Sequence, residues 1–175
     1  MTIDKASLSG VDNLEVLNLR NNQITTIEED IFVEQLRLKE LDLFGNPITY
    51  IGDDILPPSL EKLNLMETYL SEINFNISYL TLQTLNIEHS LISKIDCALL
   101  PVMWTLNLPN NKISAILNLK FLRAVNVYLS NNKLRVIDGV FPTTIERISI
   151  NDNKLEMLEP SFNKSKTLTD LDVSS

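Results

Sequence analysis

Glu88, His89 and Ser90 bring together an acid, the chain's one histidine and a hydroxyl, the residue types of an acyl-transfer triad. Their contiguity argues against that chemistry. Successive side chains of an extended segment point to opposite faces, so sequence neighbours are badly placed for the hydrogen-bonded relay a triad needs. No catalytic residue is assigned, and the chain is not expected to be an enzyme. Cys97 is as solitary as His89, which leaves too few residues for a disulfide framework or a Cys/His metal site. The acidic groups Glu28-Glu29-Asp30 and Asp53-Asp54 offer oxygen ligands, but without the spacing and glycine of a calcium loop they read as solvated faces. No metal or cofactor is expected. Asn76 and Asn163 each begin an N-x-S/T motif and are candidate glycosylation sites,.

Chemistry of binding is better served. The chain has 175 residues with 15 Lys+Arg against 23 Asp+Glu, a net charge of −8. Residues 1–87 carry a net −9 and residues 88–175 a net +1, so no basic stripe is expected for a phosphate backbone and nucleic acid is not an expected partner. No apolar run approaches the roughly 18 to 20 residues of a membrane span. The opening MTIDKASLSG has no basic start followed by an apolar core, so it does not read as a secretion signal,.

The elements that must position any site come from a repeat. Seven stretches share one frame, starting near residues 14, 38, 60, 82, 103, 124 and 145, and a truncated eighth starts at 168. They read LEVLNLRNNQITTI, LKELDLFGNPITYI, LEKLNLMETYLSEI, LQTLNIEHSLISKI, MWTLNLPNNKISAI, AVNVYLSNNKLRVI and IERISINDNKLEML, with LTDLDVSS last. Apolar residues at the fourth and sixth positions, with one residue between, have the period of a strand that is buried on one face. Asn22, Asn46, Asn111, Asn132 and Asn153 hold the ninth position, where an amide serves backbone groups that a bend leaves unpaired,. Thr68 and Ser90 hold it in the third and fourth repeats. A hydroxyl has fewer hydrogen-bonding sites, so the turn ladder is expected to be weakest there. Phe32, Leu56, Ile77, Leu99, Phe141 and Phe162 recur on the returns and are expected to stack as a second apolar column. Prolines at Pro57, Pro58, Pro101, Pro142 and Pro160 point to extended or short helical returns,. The frame is least regular at NLKFLRAV, where Phe121 and Leu122 compete with Ala124 for inward positions.

These segments resemble leucine-rich repeats, whose spacing of roughly 20 to 29 residues and L-x-x-L-x-L-x-x-N-x-L pattern they follow. The expected fold is an α/β, right-handed solenoid with a concave parallel β-sheet and irregular or short-helical convex returns. Residues 14–175 would form the repeat domain and residues 1–13 a lead-in, or the remnant of an earlier repeat. The irregular spacing, the phenylalanines on the returns and phrases such as LDLFGNPITYIGDDIL are similar to extracellular animal immune proteins, namely Toll-like receptor ectodomains and insect leucine-rich immune proteins. That resemblance implies a secreted or receptor-type, non-enzymatic protein-recognition module. The alternatives are a cytoplasmic leucine-rich repeat scaffold or adaptor, or the repeat domain of a bacterial effector, to which the phrase LPPSLEKL is similar.

Because the repeat buries its consensus residues, a working surface is sought among the variable ones. The seventh position reads Arg20, Phe44, Met66, Glu88, Pro109, Ser130, Asn151 and Ser174. Phe44 and Met66 are large and apolar where exposure is expected, side by side and flanked by Arg20 and Glu88, which is the composition of a binding hot spot. Trp104 and Tyr128 are added as candidate anchors. The expected partner is a protein with a basic patch, met through the concave face. Open terminal strands would favour self-association.

Overall fold

A computed structural model describes residues 5–27, 30–32, 34–52, 55–73, 77, 80–157 and 166–174. Among the described residues there are ten strands: β1 Val16–Asn18, β2 Glu40–Asp42, β3 Lys62–Asn64, β4 Thr84–Asn86, β5 Lys94–Asp96, β6 Met103–Asn107, β7 Ala115–Leu117, β8 Ala124–Tyr128, β9 Arg147–Ser149 and β10 Asp170–Asp172. Eight of them form one parallel sheet in the order β1-β2-β3-β4-β6-β8-β9-β10. The register sets Leu17, Leu41, Leu63, Leu85, Leu106, Val127, Ile148 and Leu171 in one row. At about 4.8 Å per strand the sheet is on the order of 34 Å long.

The strands are short because only three to five residues per turn keep the alternation of inward apolar and outward polar side chains. Inside lie stacked columns of leucine and isoleucine. One runs Leu41, Leu63, Leu85 and Leu106, another Leu43, Leu65, Ile87 and Leu108, each almost wholly removed from solvent. The columns open at both ends, where one neighbour is missing. Leu14, Leu17 and Leu19 are only partly covered, and Leu171 and Val173 remain exposed.

The returns are as irregular as the prolines imply. Among the described residues helix is confined to three 3-10 turns, Lys5–Leu8, Cys97–Leu99 and Leu119–Phe121. The second apolar column contains Phe32, Leu56, Ile77 and Phe141, all buried. Leu99 is a correction: it is half-buried, because the 3-10 turn that contains it directs Cys97 and Leu100 into the core instead. Phe162 and Pro160 lie outside the described residues. Burial pushes the Cys97 thiol up to about 12, with the Asp96 carboxylate adding to it, so this sulfur stays protonated at neutral pH. In the irregular fifth repeat Leu119, Leu122 and Ala124 all point inward while Phe121 faces out. The convex side also has a small sheet, in which β5 pairs with β7. Two isolated bridges, Thr26 with Tyr50 and Val136 with Met157, extend the same idea along the solenoid.

Residues before the first strand repeat the geometry of a return. Leu8 is buried six residues ahead of Leu14, as Phe32 is six ahead of Leu38. The bonds Val11 N–H to Leu8 and Leu14 N–H to Val11 match Gln35 N–H to Phe32 and Leu38 N–H to Gln35.

Candidate functional site

The turn after each strand is built by two side-chain ladders and one backbone conformation. Asn132 shows the first ladder complete. Its Nδ2 donates to the carbonyls of Leu108 at 3.0 Å, Leu129 at 3.0 Å and Ser130 at 3.2 Å, and its Oδ1 accepts from Ile113 N–H at 2.9 Å. Asn46, Asn111 and Asn153 make the same four contacts with their own neighbours. Asn22 donates to Leu19 and Arg20. At the hydroxyl rungs the pattern thins. Thr68 Oγ1 donates to Leu65, Thr68 N–H reaches Ser90 Oγ, and the two hydroxyls face each other at 3.1 Å. Ile48 N–H, which an asparagine would have received, turns back to Asn46 O at 2.8 Å.

The second ladder lies at the fifth position, between the two inward apolar residues of each strand. Asn18, Asp42, Asn64, Asn86 and Asp172 each accept, through Oδ1, the backbone N–H two residues on. Neighbours also bond to one another, Asn64 to Asp42 and Asn107 to Asn86. Such side-chain turns are what Asn and Asp do at a chain reversal. These residues close the strand ends and are only partly available to a partner.

The eighth position is left-handed throughout. Asn21, Gly45, Glu67, His89, Asn110, Asn131 and Asp152 all have φ between 51° and 67°. The sequence signal was there in the asparagine, aspartate and glycine that precede most turn asparagines, because these residues tolerate that conformation best. Gly45→Ala is expected to destabilise the protein by about 1 to 2 kcal/mol. The new Cβ would lie 2.4 Å from Asn21 Oδ1 as well as requiring φ +67°. A urea midpoint equal to that of the parent would contradict this.

This conformation also settles the geometry of Glu88, His89 and Ser90. Ser90 is buried, with its hydroxyl committed to Thr68, Leu65 and Glu88 carbonyls or hydroxyls. His89 points outward, its Nε2 3.5 Å from Glu88 Oε1 and 3.3 Å from Asn110 Nδ2. The serine and the histidine face opposite ways.

On the seventh-position column Phe44 and Met66 sit on adjacent rungs, held by Gly45 N–H to Met66 O at 3.0 Å. The expectation of exposure needs correcting, since both are half-buried. The Arg20 guanidinium lies 4.5 Å from the centre of the Phe44 ring while its Nη1 pairs with Asp42 at 3.2 Å. A spacing of about 4.8 Å between strands packs every side chain in the column against its neighbours. Glu88 is also partly covered and is bonded by Asn110. Charges nearby are largely matched, with Lys39 on Glu15 and Lys62 on Glu40.

Trp104 and Tyr128 are not brought to this site. Tyr128 is half-buried at the fifth position of the sixth repeat, about 19 Å along the sheet from Phe44 at 4.8 Å per strand. Trp104, at the second position, is 61% exposed on the flank where returns re-enter the sheet. The candidate glycosylation sites Asn76 and Asn163 lie outside the described residues, as do Glu28, Glu29, Asp53 and Asp54; Asp30 is exposed. The overall charge count also hid one feature. Lys112, Lys133 and Lys154 occupy the tenth position of consecutive repeats, all exposed, so a short basic column exists after all. Three lysines fall well short of the roughly 6 to 10 phosphate contacts of a typical backbone binder.

The parallel sheet, the apolar columns and the asparagine ladder are those of a leucine-rich repeat solenoid. Leucine-rich repeat family models match residues 2–48 and 37–63. Podocan of Mus musculus is 26% identical over 167 residues, covering 94% of this chain and 25% of podocan. In fold the chain resembles the Toll-like receptor and LRIM types. It superposes on TLR13 from a TLR13–ssRNA13 complex with a TM-score of 0.84 and 21% identity, covering 98% of this chain and 27% of that one. For an LRIM1/APL1C complex the TM-score is 0.83 with 22% identity, covering 98% and 32%. The chain thus spans about a quarter to a third of these relatives. Leucine-rich repeat domains are protein-interaction modules, and no helix among the described residues is long and apolar enough to cross a membrane.

Proposed function

We propose that residues 14–175 act as one non-enzymatic repeat domain that recognises a protein through the concave face of its first half, in an extracellular protein of the innate-immune or receptor type. The observation that carries this reading is the Arg20, Phe44, Asp42 and Met66 arrangement. An aromatic ring is capped by a guanidinium that a carboxylate holds in place, with a methionine on the next rung, so the apolar surface is pre-organised and rimmed by charge. Ordered anchors of this kind bind at a smaller entropic cost than mobile ones. The net −9 of residues 1–87 favours a partner with a basic patch,. Nucleic acid is not part of the reading, because the lysine column is short and lies away from this face. The extracellular placement draws support from the fold of TLR13 and LRIM1/APL1C.

The test is the double substitution Phe44→Ala with Met66→Ala, measured as affinity for the protein's own partner. Binding is expected to fall by about 2 kcal/mol, as hot-spot anchors do. A loss below about 1 kcal/mol would remove the concave face from the mechanism. Association that does not slow with added salt would count against the basic-patch partner.

A further inference from the structure

The flank where returns re-enter the sheet changes character between the fourth and sixth repeats. The residue just before each frame is Asn13, Arg37, Ser59, Thr81, Arg123, Thr144 or Thr167 elsewhere, but Val102 ahead of the fifth repeat. The second position holds Glu15, Lys39, Glu61 and Gln83 in the first four repeats, then Trp104 and Val125. Trp104 N–H is tied to Gln83 O at 2.9 Å, so the backbone is fixed in register and the indole leaves the sheet. Val102 is 65% exposed, Trp104 61% and Phe121 45%. Single exposed apolar side chains are ordinary. These lie on neighbouring turns around two hollows that share Val102 as a wall. One, of about 300 Å³, is bordered by Leu100, Phe121 and Arg123. The other, of about 510 Å³, is bordered by Gln83, Trp104 and Val125.

The rim is cationic. Lys120 Nζ stands 5.0 Å from the centre of the Phe121 ring, and Arg123 borders the first hollow. Among the described residues neither has a carboxylate within ion-pair distance. An apolar shelf with aromatic walls and unmatched cations fits a segment that carries both an apolar side chain and acids. We propose that this flank docks an acidic protein segment, with an apolar side chain seated between Val102, Trp104 and Phe121 and carboxylates on Lys120 and Arg123. It is a second surface, of opposite charge preference to the concave face, and does not depend on that reading.

Trp104 is the only tryptophan, so its emission reports on this flank alone. The probe is a synthetic peptide of alternating glutamate and leucine, with its lysine-for-glutamate counterpart as control. Titration of the intact protein with the glutamate peptide is expected to shift Trp104 emission to the blue and reduce acrylamide quenching several-fold, while the lysine peptide leaves both unchanged. Lys120→Glu with Arg123→Glu, both on exposed side chains, is expected to weaken the response at least tenfold. The Phe44→Ala, Met66→Ala protein is expected to respond like the parent, which separates this surface from the concave one. No response to millimolar glutamate peptide, an equal response to the lysine peptide, or a response that survives the charge reversal would overturn the proposal. A blue shift that grows with protein concentration alone would assign the flank to a second copy of the chain and would overturn it as well.

Discussion

Replacing Asn132 by alanine is expected to lower the free energy of unfolding by about 3 kcal/mol. The side chain is buried and serves four backbone groups. The losses are unequal. The Leu108 carbonyl keeps a bond from Asn111, the Leu129 carbonyl one from Asn153, and the Ser130 carbonyl one from Asn110 N–H. Ile113 N–H has Asn132 Oδ1 as its acceptor, and leaving a buried donor without a partner costs about 1 to 3 kcal/mol by itself. Weakened carbonyl bonds and the emptied volume supply the rest. Urea unfolding followed by circular dichroism measures the change, and a loss below about 1 kcal/mol would show that water takes over the ladder. Asn132→Asp gives the sign of the electrostatics. It keeps the acceptor for Ile113 but turns a carboxylate toward three carbonyls, which raises its folded pKa above the unfolded value. The neutral acid can still donate, so this variant should be more stable near pH 4 than near pH 7, the reverse of a salt-bridged aspartate.

The second large effect has the opposite direction. Thr68→Asn together with Ser90→Asn is expected to stabilise the protein by about 2 kcal/mol. At present two hydroxyls, with one proton each, occupy rungs where two amides would supply four donors. Among the described residues Leu70 N–H makes no hydrogen bond, and Ile48 N–H is satisfied by a tight turn back to Asn46. Asparagines at these rungs would accept from both. The neighbouring rungs at Asn46 and Asn111 already show the geometry with this backbone. Each single variant should deliver less than half the gain, because the Thr68–Ser90 contact couples the two sites and either change alone breaks it,. An unchanged or lower urea midpoint for the double variant would mean that the space around Leu65 and Leu70 does not admit the amides.

Much of the architecture was legible in the chain because each repeat states its own burial pattern within a dozen residues. Leu17 and Leu19, or Ile148 and Ile150, announce a strand by their spacing, and the turn asparagines announce the bend that follows. The candidate site was less legible. Phe44 reads as an exposed apolar residue until Arg20, one repeat earlier, is seen to cover it. The fifth-position asparagines look like plain polar residues between two leucines, although their Oδ1 atoms are committed to backbone N–H groups two residues away. That local bond follows from the turn chemistry of Asn and Asp, whose side chains accept a backbone N–H two residues on.

By itself the sequence determined the class of fold, the direction of each strand's buried face and the place of every turn. These follow from alternation and local hydrogen bonding, which act over a few residues. Only the tertiary structure decided which charges pair, which apolar residues stay uncovered and which surfaces are contiguous. The Arg20–Asp42 and Thr68–Ser90 contacts both span 22 residues, and Trp104 meets Val102 and Gln83 on one flank only because neighbouring turns stack in register. Those relations depend on the pitch of the solenoid and the route of each irregular return, and proline-rich returns of unequal length have no local code from which that route can be read.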